Sequence, residues 1–263
     1  MTSRHTASCL AVVAASAVIA GCGGGTKTVT RQGSSSAPAA PTPASPPAAP
    51  PAPTPAVVAG PATVCTQRSS VGPTYDTAVA FMMTNQSDSA VVDVPYRVTV
   101  TGAGKTLAVT KGDDTINPYV TLAGHESRIL VVEPSNRHRL NAKPTAATVQ
   151  VHPGSPPGDV AVPVPAQWRV TNQRILSSTH EVSADLTNAG QQPAVIKTVS
   201  AVVRRGYPGP IIAAGILNLT TGGQAVASGQ TLPVGGEVTG NLPRVSSGLV
   251  VEFSVQPSAP RGD

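Results

Sequence analysis

Val79-Ala80-Phe81-Met82-Met83-Thr84-Asn85 reads as a β-strand, and Val182-Ser183-Ala184-Asp185-Leu186-Thr187-Asn188 repeats its form 103 residues later. Apolar residues alternate in both, the period that turns one set of side chains toward a buried sheet face. Thr-Asn closes each run. At the same offset Tyr96, Val98 and Val100 fall on Val199, Ala201 and Val203. With small insertions, Thr121-Leu122 matches Thr231-Leu232 and Gly124-His125-Glu126 matches Gly235-Gly236-Glu237. Val149-Gln150-Val151-His152-Pro153 likewise matches Phe253-Ser254-Val255-Gln256-Pro257. Landmarks that recur in one order make an internal repeat. Gly, Asn and Pro clusters between the runs mark turns, and nothing in residues 63–257 carries the period of a long amphipathic helix.

The predicted fold is therefore all-β, with two tandem immunoglobulin-like β-sandwich modules at residues 63–153 and 167–257. Short strands at regular spacing, in units of about 90 residues, suit a two-sheet sandwich. Residues 154–166, with Pro156, Pro157, Pro163 and Pro165, read as a link that restricts the angle between the modules without freezing it. Trp168 is expected to open the second module at the position Cys65 holds in the first, packing in the core. Residues 258–263, ending in Arg261-Gly262-Asp263, read as a tail.

The order of alternating strand, Thr-Asn, polar turn, Val-Val, alternating strand, Gly-Lys turn, Leu-x-Gly-x-Glu and final Val-x-Val resembles the small sandwich domains of secreted bacterial proteins of the FxLYD type. The resemblance covers residues 65–153 and 168–257. It implies an Asn-containing turn after the first long strand and a Gly-x-Glu corner before a late strand. Tyr96 is followed by Arg97, so the Tyr-Asp pair of that family is absent. The resemblance thus implies a fold, and no binding residue is carried over from it.

Upstream, Arg4 precedes an apolar run at residues 9–20, and Ile19-Ala20-Gly21-Cys22 closes it. This stretch resembles a bacterial lipobox. The resemblance implies a diacylglycerol thioether on Cys22, cleavage after Gly21 and acylation of the new amino terminus. Residues 1–21 are then a signal peptide, too short to span a bilayer. An ordinary secretory signal is the alternative. Two or three acyl chains give stable anchoring where one would be marginal. Residues 22–62 continue with Gly23-Gly24-Gly25, Ser34-Ser35-Ser36 and the Pro/Ala run Ala37 to Pro55, and no charge occurs between Arg31 and Arg68. Such a stretch buries too little apolar surface to offset its ordering entropy, so it reads as a disordered spacer, extended at about 3.1 Å per residue in its Pro/Ala part.

Composition narrows the classes further. Among 263 residues there are 27 Pro and 25 Gly, with 12% charged and 3% aromatic, which suits an envelope protein of a high-GC bacterium. Loss of Arg4 with the signal peptide lowers the formal charge from +5 to +4, too mild for a nucleic-acid partner. The best remaining apolar run, Pro210 to Leu217, contains Gly215 and is too short to cross a membrane. Cys9 departs with the signal peptide and Cys22 takes the lipid. Cys65 is left alone, so no intramolecular disulfide can form and burial must supply stability. Cys65 reads as a small buried hydrophobe.

Catalytic and metal patterns are missing. Gly102-Ala103-Gly104-Lys105-Thr106 lacks the earlier glycine of a phosphate loop and leads into a strand, so it reads as a hairpin turn. Asp113-Asp114 and Asn117 lack the alternating spacing of a calcium loop. His125, His138, His152 and His180 stand singly, and no Gly-x-Ser-x-Gly elbow occurs. The expectation is no cofactor, no metal and no catalysis. Arg128, Arg137, Arg139 and Lys143, with Arg204 and Arg205 in an expected loop of the second module, are candidate contacts for anionic wall polymer or lipid head groups. The expected function is a lipid-anchored, non-catalytic binding or adaptor module on the extracytoplasmic face of the membrane. Its partner would be another envelope protein taken on a sheet edge or apolar face. The alternatives are a structural protein whose basic loops hold wall polymer, and an enzyme whose site assembles from loops.

Overall fold

The computed structural model describes residues 57–70, 72–111, 119–134, 139–156, 167–217 and 225–257. They belong to one compact unit, Pro51–Asp263. The signal segment, nearly all of the spacer, Asp113, Asp114, Asn117, His138 and the tail lie outside the described residues.

The fold is all-β. In the N-terminal half the strands are β1 (Val57–Ala59), β2 (Thr63–Arg68), β3 (Tyr75–Asn85), β4 (Val91–Val94) and β5 (Tyr96–Gly102), then β6 (Lys105–Lys111), β7 (Val120–Leu122), β8 (Ser127–Val132), β9 (Arg139–Leu140) and β10 (Ala146–Val151). The C-terminal half holds β11 (Trp168–Leu176), β12 (Glu181–Asn188), β13 (Ala194–Arg205) and β14 (Ile211–Leu217), then β15 (Ala225–Val226), β16 (Thr231–Glu237), β17 (Thr239–Gly240) and β18 (Leu249–Pro257). Every pairing is antiparallel. β3 is central in the first sheet, with β1 and β2 end to end along one side and β8 and β9 along the other. Facing it are the sheet β10-β5-β6 and the pair β4-β7. The C-terminal half repeats the plan with β11-β12-β16 and with β18-β13-β14-β17, β15 joining the first residues of β13.

Two apolar cores follow from the alternation. Val79, Phe81 and Met83 of β3 meet Val98 and Val100 of β5 in one. There the rings of Phe81 and Tyr96 pack edge to face, centroids 5.9 Å apart. Val182, Ala184 and Leu186 meet Val199, Ala201 and Val203 in the other. Gly102 and Lys105 close a hairpin whose two central residues, Ala103 at φ 49° and Gly104 at φ 73°, have the paired positive angles of a type I′ turn. The hairpin reading of this glycine stretch therefore holds.

Several details of the repeat differ from the expectation. Strand pairing begins at Val57, inside the stretch read as spacer, because Val57 and Ala59 reach the first core before Gly60-Pro61 interrupts the strand. Val57 pairs with Asn85 as Trp168 pairs with Asn188, so Trp168 occupies the place of Val57. Cys65 pairs with Ala78, and its counterpart is Leu176, paired with Glu181. Thr84 meets Ser127 through hydroxyls 2.9 Å apart, and Thr187 meets Thr231 at 2.8 Å. Ser127 is thus the equivalent of Thr231, and the corner at Gly124-His125-Glu126 corresponds to Ser228-Gly229-Gln230. Gly235-Gly236-Glu237 instead ends β16. Glycine content misled the match, whereas the cap defines the corner: Glu126 Oε2 accepts from Ala123 N–H at 2.8 Å, and Gln230 Oε1 from Ala227 N–H at 2.9 Å. The last landmark holds, with Val149 opposite Val98 and Phe253 opposite Ala201.

The central strands are not half-buried. Thr77 to Phe81 of β3 and Val199 to Val203 of β13 are buried at every residue. Their second faces meet. Cys65, Ala78, Ala80 and Val131 from the N-terminal half form a third apolar cluster with Val202 and Ala214 from the C-terminal half. Ile216 N–H donates to Glu133 Oε1 at 3.2 Å, and Gln256 Nε2 donates to Tyr119 O at 2.7 Å across the same junction. The halves are joined by a packed sheet face, not only by residues 154–166.

Candidate functional site

Polar side chains inside the halves hold turns. Asn85 is fully buried; its Nδ2 donates to Ser89 O at 2.8 Å and Ala123 O at 2.9 Å, while Oδ1 accepts from Ser87 N–H and Ser87 Oγ. Asn188, also fully buried, donates to Gln192 O at 2.8 Å and Val226 O at 2.9 Å and accepts from Gly190 N–H at 3.0 Å. Every partner position is shifted by the same 103 residues. The Thr-Asn signature is thus a structural clasp that ties two loops to the end of a central strand.

The basic residues singled out in the sequence are dispersed. Arg128 is only 8% exposed; it pairs with Glu126 and donates to Thr121 O at 3.2 Å, so its charge is neutralised internally. Arg204 and Arg205 are strand residues of β13, not loop residues. Arg204 Nε lies 3.0 Å from Glu252 Oε2, and its Nη1 donates to Gly209 O at 3.0 Å. Exposed positions are kept by Arg205, Lys143 and Arg139, the last 3.5 Å from Asp76 Oδ1. Arg137 and Cys22 lie outside the described residues. Arg128 stands opposite Met83 and Arg139 opposite Asp76, seven residues apart along β3, or about 23 Å at the rise of a strand. As a set these cations form no single patch.

A cavity of about 390 Å³ opens at the junction. Pro61, Met82 and Ile129 line one wall, and Arg204, Pro208 and Ile211 the other. Tyr207, 75% exposed, stands beside it. The charged side chain in the lining, Arg204, is already paired with Glu252. No family model and no curated protein matches the chain.

In the sequence β10 is a landmark of the repeat and not a candidate site. Ala146-Ala147-Thr148-Val149-Gln150-Val151 pairs with β5 without a bulge, alternates inward Ala147, Val149 and Val151 with exposed Ala146, Thr148 and Gln150, and is hydrogen-bonded to no second strand among the described residues, though β1 and β2 lie against it. The available signal was six consecutive residues without charge, Gly or Pro. Cys65 is the one thiol among the described residues; burial pushes it up to about 12, which keeps it protonated and unreactive at neutral pH.

Proposed function

We propose that this chain is a lipid-anchored protein of the extracytoplasmic membrane face, a non-catalytic binding or adaptor module set out from the bilayer on a Pro/Ala spacer. Its two halves are immunoglobulin-like sandwiches of the FxLYD type. The observation that carries the reading is Ile19-Ala20-Gly21-Cys22 directly after the apolar run 9–20 and ahead of a charge-free Pro/Ala stretch. Further support comes from where polar chemistry resides. Asn85, Asn188, Arg128 and Arg204 are committed to clasps and internal ion pairs. Strand edges and sheet surfaces are what remain to recruit a partner.

Comparison of the native chain with Cys22→Ala tests this. The native protein is expected to gain acyl mass, lose residues 1–21 and partition into detergent, while the variant does none of these. Mild cross-linking in native membranes is then expected to capture a stoichiometric envelope protein with the native chain only. An unacylated native chain in the aqueous phase would overturn the anchor, and capture of wall polymer alone would overturn the adaptor.

A further inference from the structure

The junction between the halves joins two unlike faces. Ala78, Ala80 and Val131, on the sheet around β3, lie against Val202 and Ala214, on the sheet around β13. Because the halves are repeats, each of these faces exists twice. The counterpart of the first lies on β11-β12-β16, where Glu181 and Glu237 are exposed, and that of the second on β10-β5-β6, where Arg97 and Lys111 are exposed.

Strand registers fix which residues correspond. Val79 pairs with Val132 as Val182 pairs with Gly236, so Ala78 corresponds to Glu181 and Glu133 to Glu237. The β5-β6 and β13-β14 ladders slip at the same step, after Val100 and after Val203. Thr99 with Val109 therefore corresponds to Val202 with Ala214, and Arg97 with Lys111 to Ser200 with Ile216. In the junction Glu133 Oε1 accepts from Ile216 N–H at 3.2 Å. The same contact made between two copies would bring Glu237 of one to Lys111 of the other. It would also bring Leu176, in the place of Cys65, into one cluster with Val109, in the place of Ala214. Leu176 is 52% and Val109 51% exposed, large apolar side chains otherwise left in water.

Charge fits this arrangement. Arg97 and Lys111 are direct cross-strand partners, as are Glu181 and Glu237. Like charges facing across a ladder are unfavourable, and among the described residues no ion pair relieves either couple. Each couple is the complement of the other. Arg169 and Arg174, on the acidic face, take the places of Val58, itself exposed, and Thr63, which lines the cleft, so the contact leaves both in water.

We propose that copies of this chain stack head to tail, the β11-β12-β16 face of one on the β10-β5-β6 face of the next, as the two halves stack within one chain. The contact is heterologous: it uses two different faces and leaves one of each free, so it builds rows and not a closed two-fold dimer. It rests on the repeat and is independent of the lipid anchor.

The acylated full chain in nonionic detergent is expected to sediment as species that grow with concentration and shrink at high salt. Arg97→Glu with Lys111→Glu sets acid against acid and should weaken association by at least about tenfold, as should Glu181→Lys with Glu237→Lys. Mixed together, the two variants regain opposite charges at every contact and should associate again. A second pair of variants reads the geometry directly: Lys111→Cys mixed with Glu237→Cys is expected to cross-link under mild oxidation, and neither alone. The melting temperature of each variant is the control for folding. A native chain that is monomeric throughout overturns the proposal, as does a mixture of the charge variants that stays dissociated. Cross-linking within a single-cysteine variant also overturns it, since that would mean a two-fold contact between like faces.

Discussion

Asn85 and Asn188 show how much one side chain can organise. Each binds two carbonyls and at least one amide from a fully buried position, so truncation leaves those groups without their partners. Asn85→Ala and Asn188→Ala are each expected to lower stability by about 2–4 kcal/mol in denaturant titrations. Asn85→Asp should be no better, because a carboxylate cannot donate to Ser89 O and Ala123 O. The Thr-Asn pair was legible as a landmark; its role was not, because one of the two carbonyls each Asn binds lies 38 residues downstream. Arg128 is the reverse case. A guanidinium reads as a surface charge, and only the fold reveals that Glu126 and Thr121 enclose it.

At the level of elements, β3 and β13 were read as strands with one buried face, and both are buried on two. Ala78-Val79-Ala80-Phe81 and Val199-Ser200-Ala201-Val202-Val203 contain the signal, since small residues on the second face suit a strand covered on both sides. Alternation hid it because alanine and serine count equally well as surface. Cys65 of β2 sits on that second face, which gives the junction a chemical reporter. Burial raises its thiol from 9.0 to about 12, so above pH 9 the unfolded chain releases a proton that the folded chain retains. Stability present below pH 9 is therefore lost as pH rises toward 12, by about 1.4 kcal/mol per pH unit. The difference in stability between the native chain and Cys65→Ala, followed by chemical denaturation from pH 8 to 11, should shrink with that slope. A constant difference would place the thiol in water.

For the whole molecule the junction decides cooperativity. Two cores joined only by a linker would melt separately, whereas a shared apolar cluster with two crossing hydrogen bonds couples them. Calorimetry of the native protein is expected to show one transition for both halves. Ala80→Asp places an uncompensated carboxylate in that cluster and should split the transition in two, the halves melting apart at lower temperature. One unsplit transition in the variant would mean the contact contributes little.

Local rules were enough to make the chain all-β and to find its repeat, because alternation and turn residues act over a few residues. Tertiary structure alone decided that the halves share a face and that Arg128 and Arg204 are neutralised. Each of those depends on which strands become neighbours, and neighbours are chosen by packing across distances that no local pattern encodes.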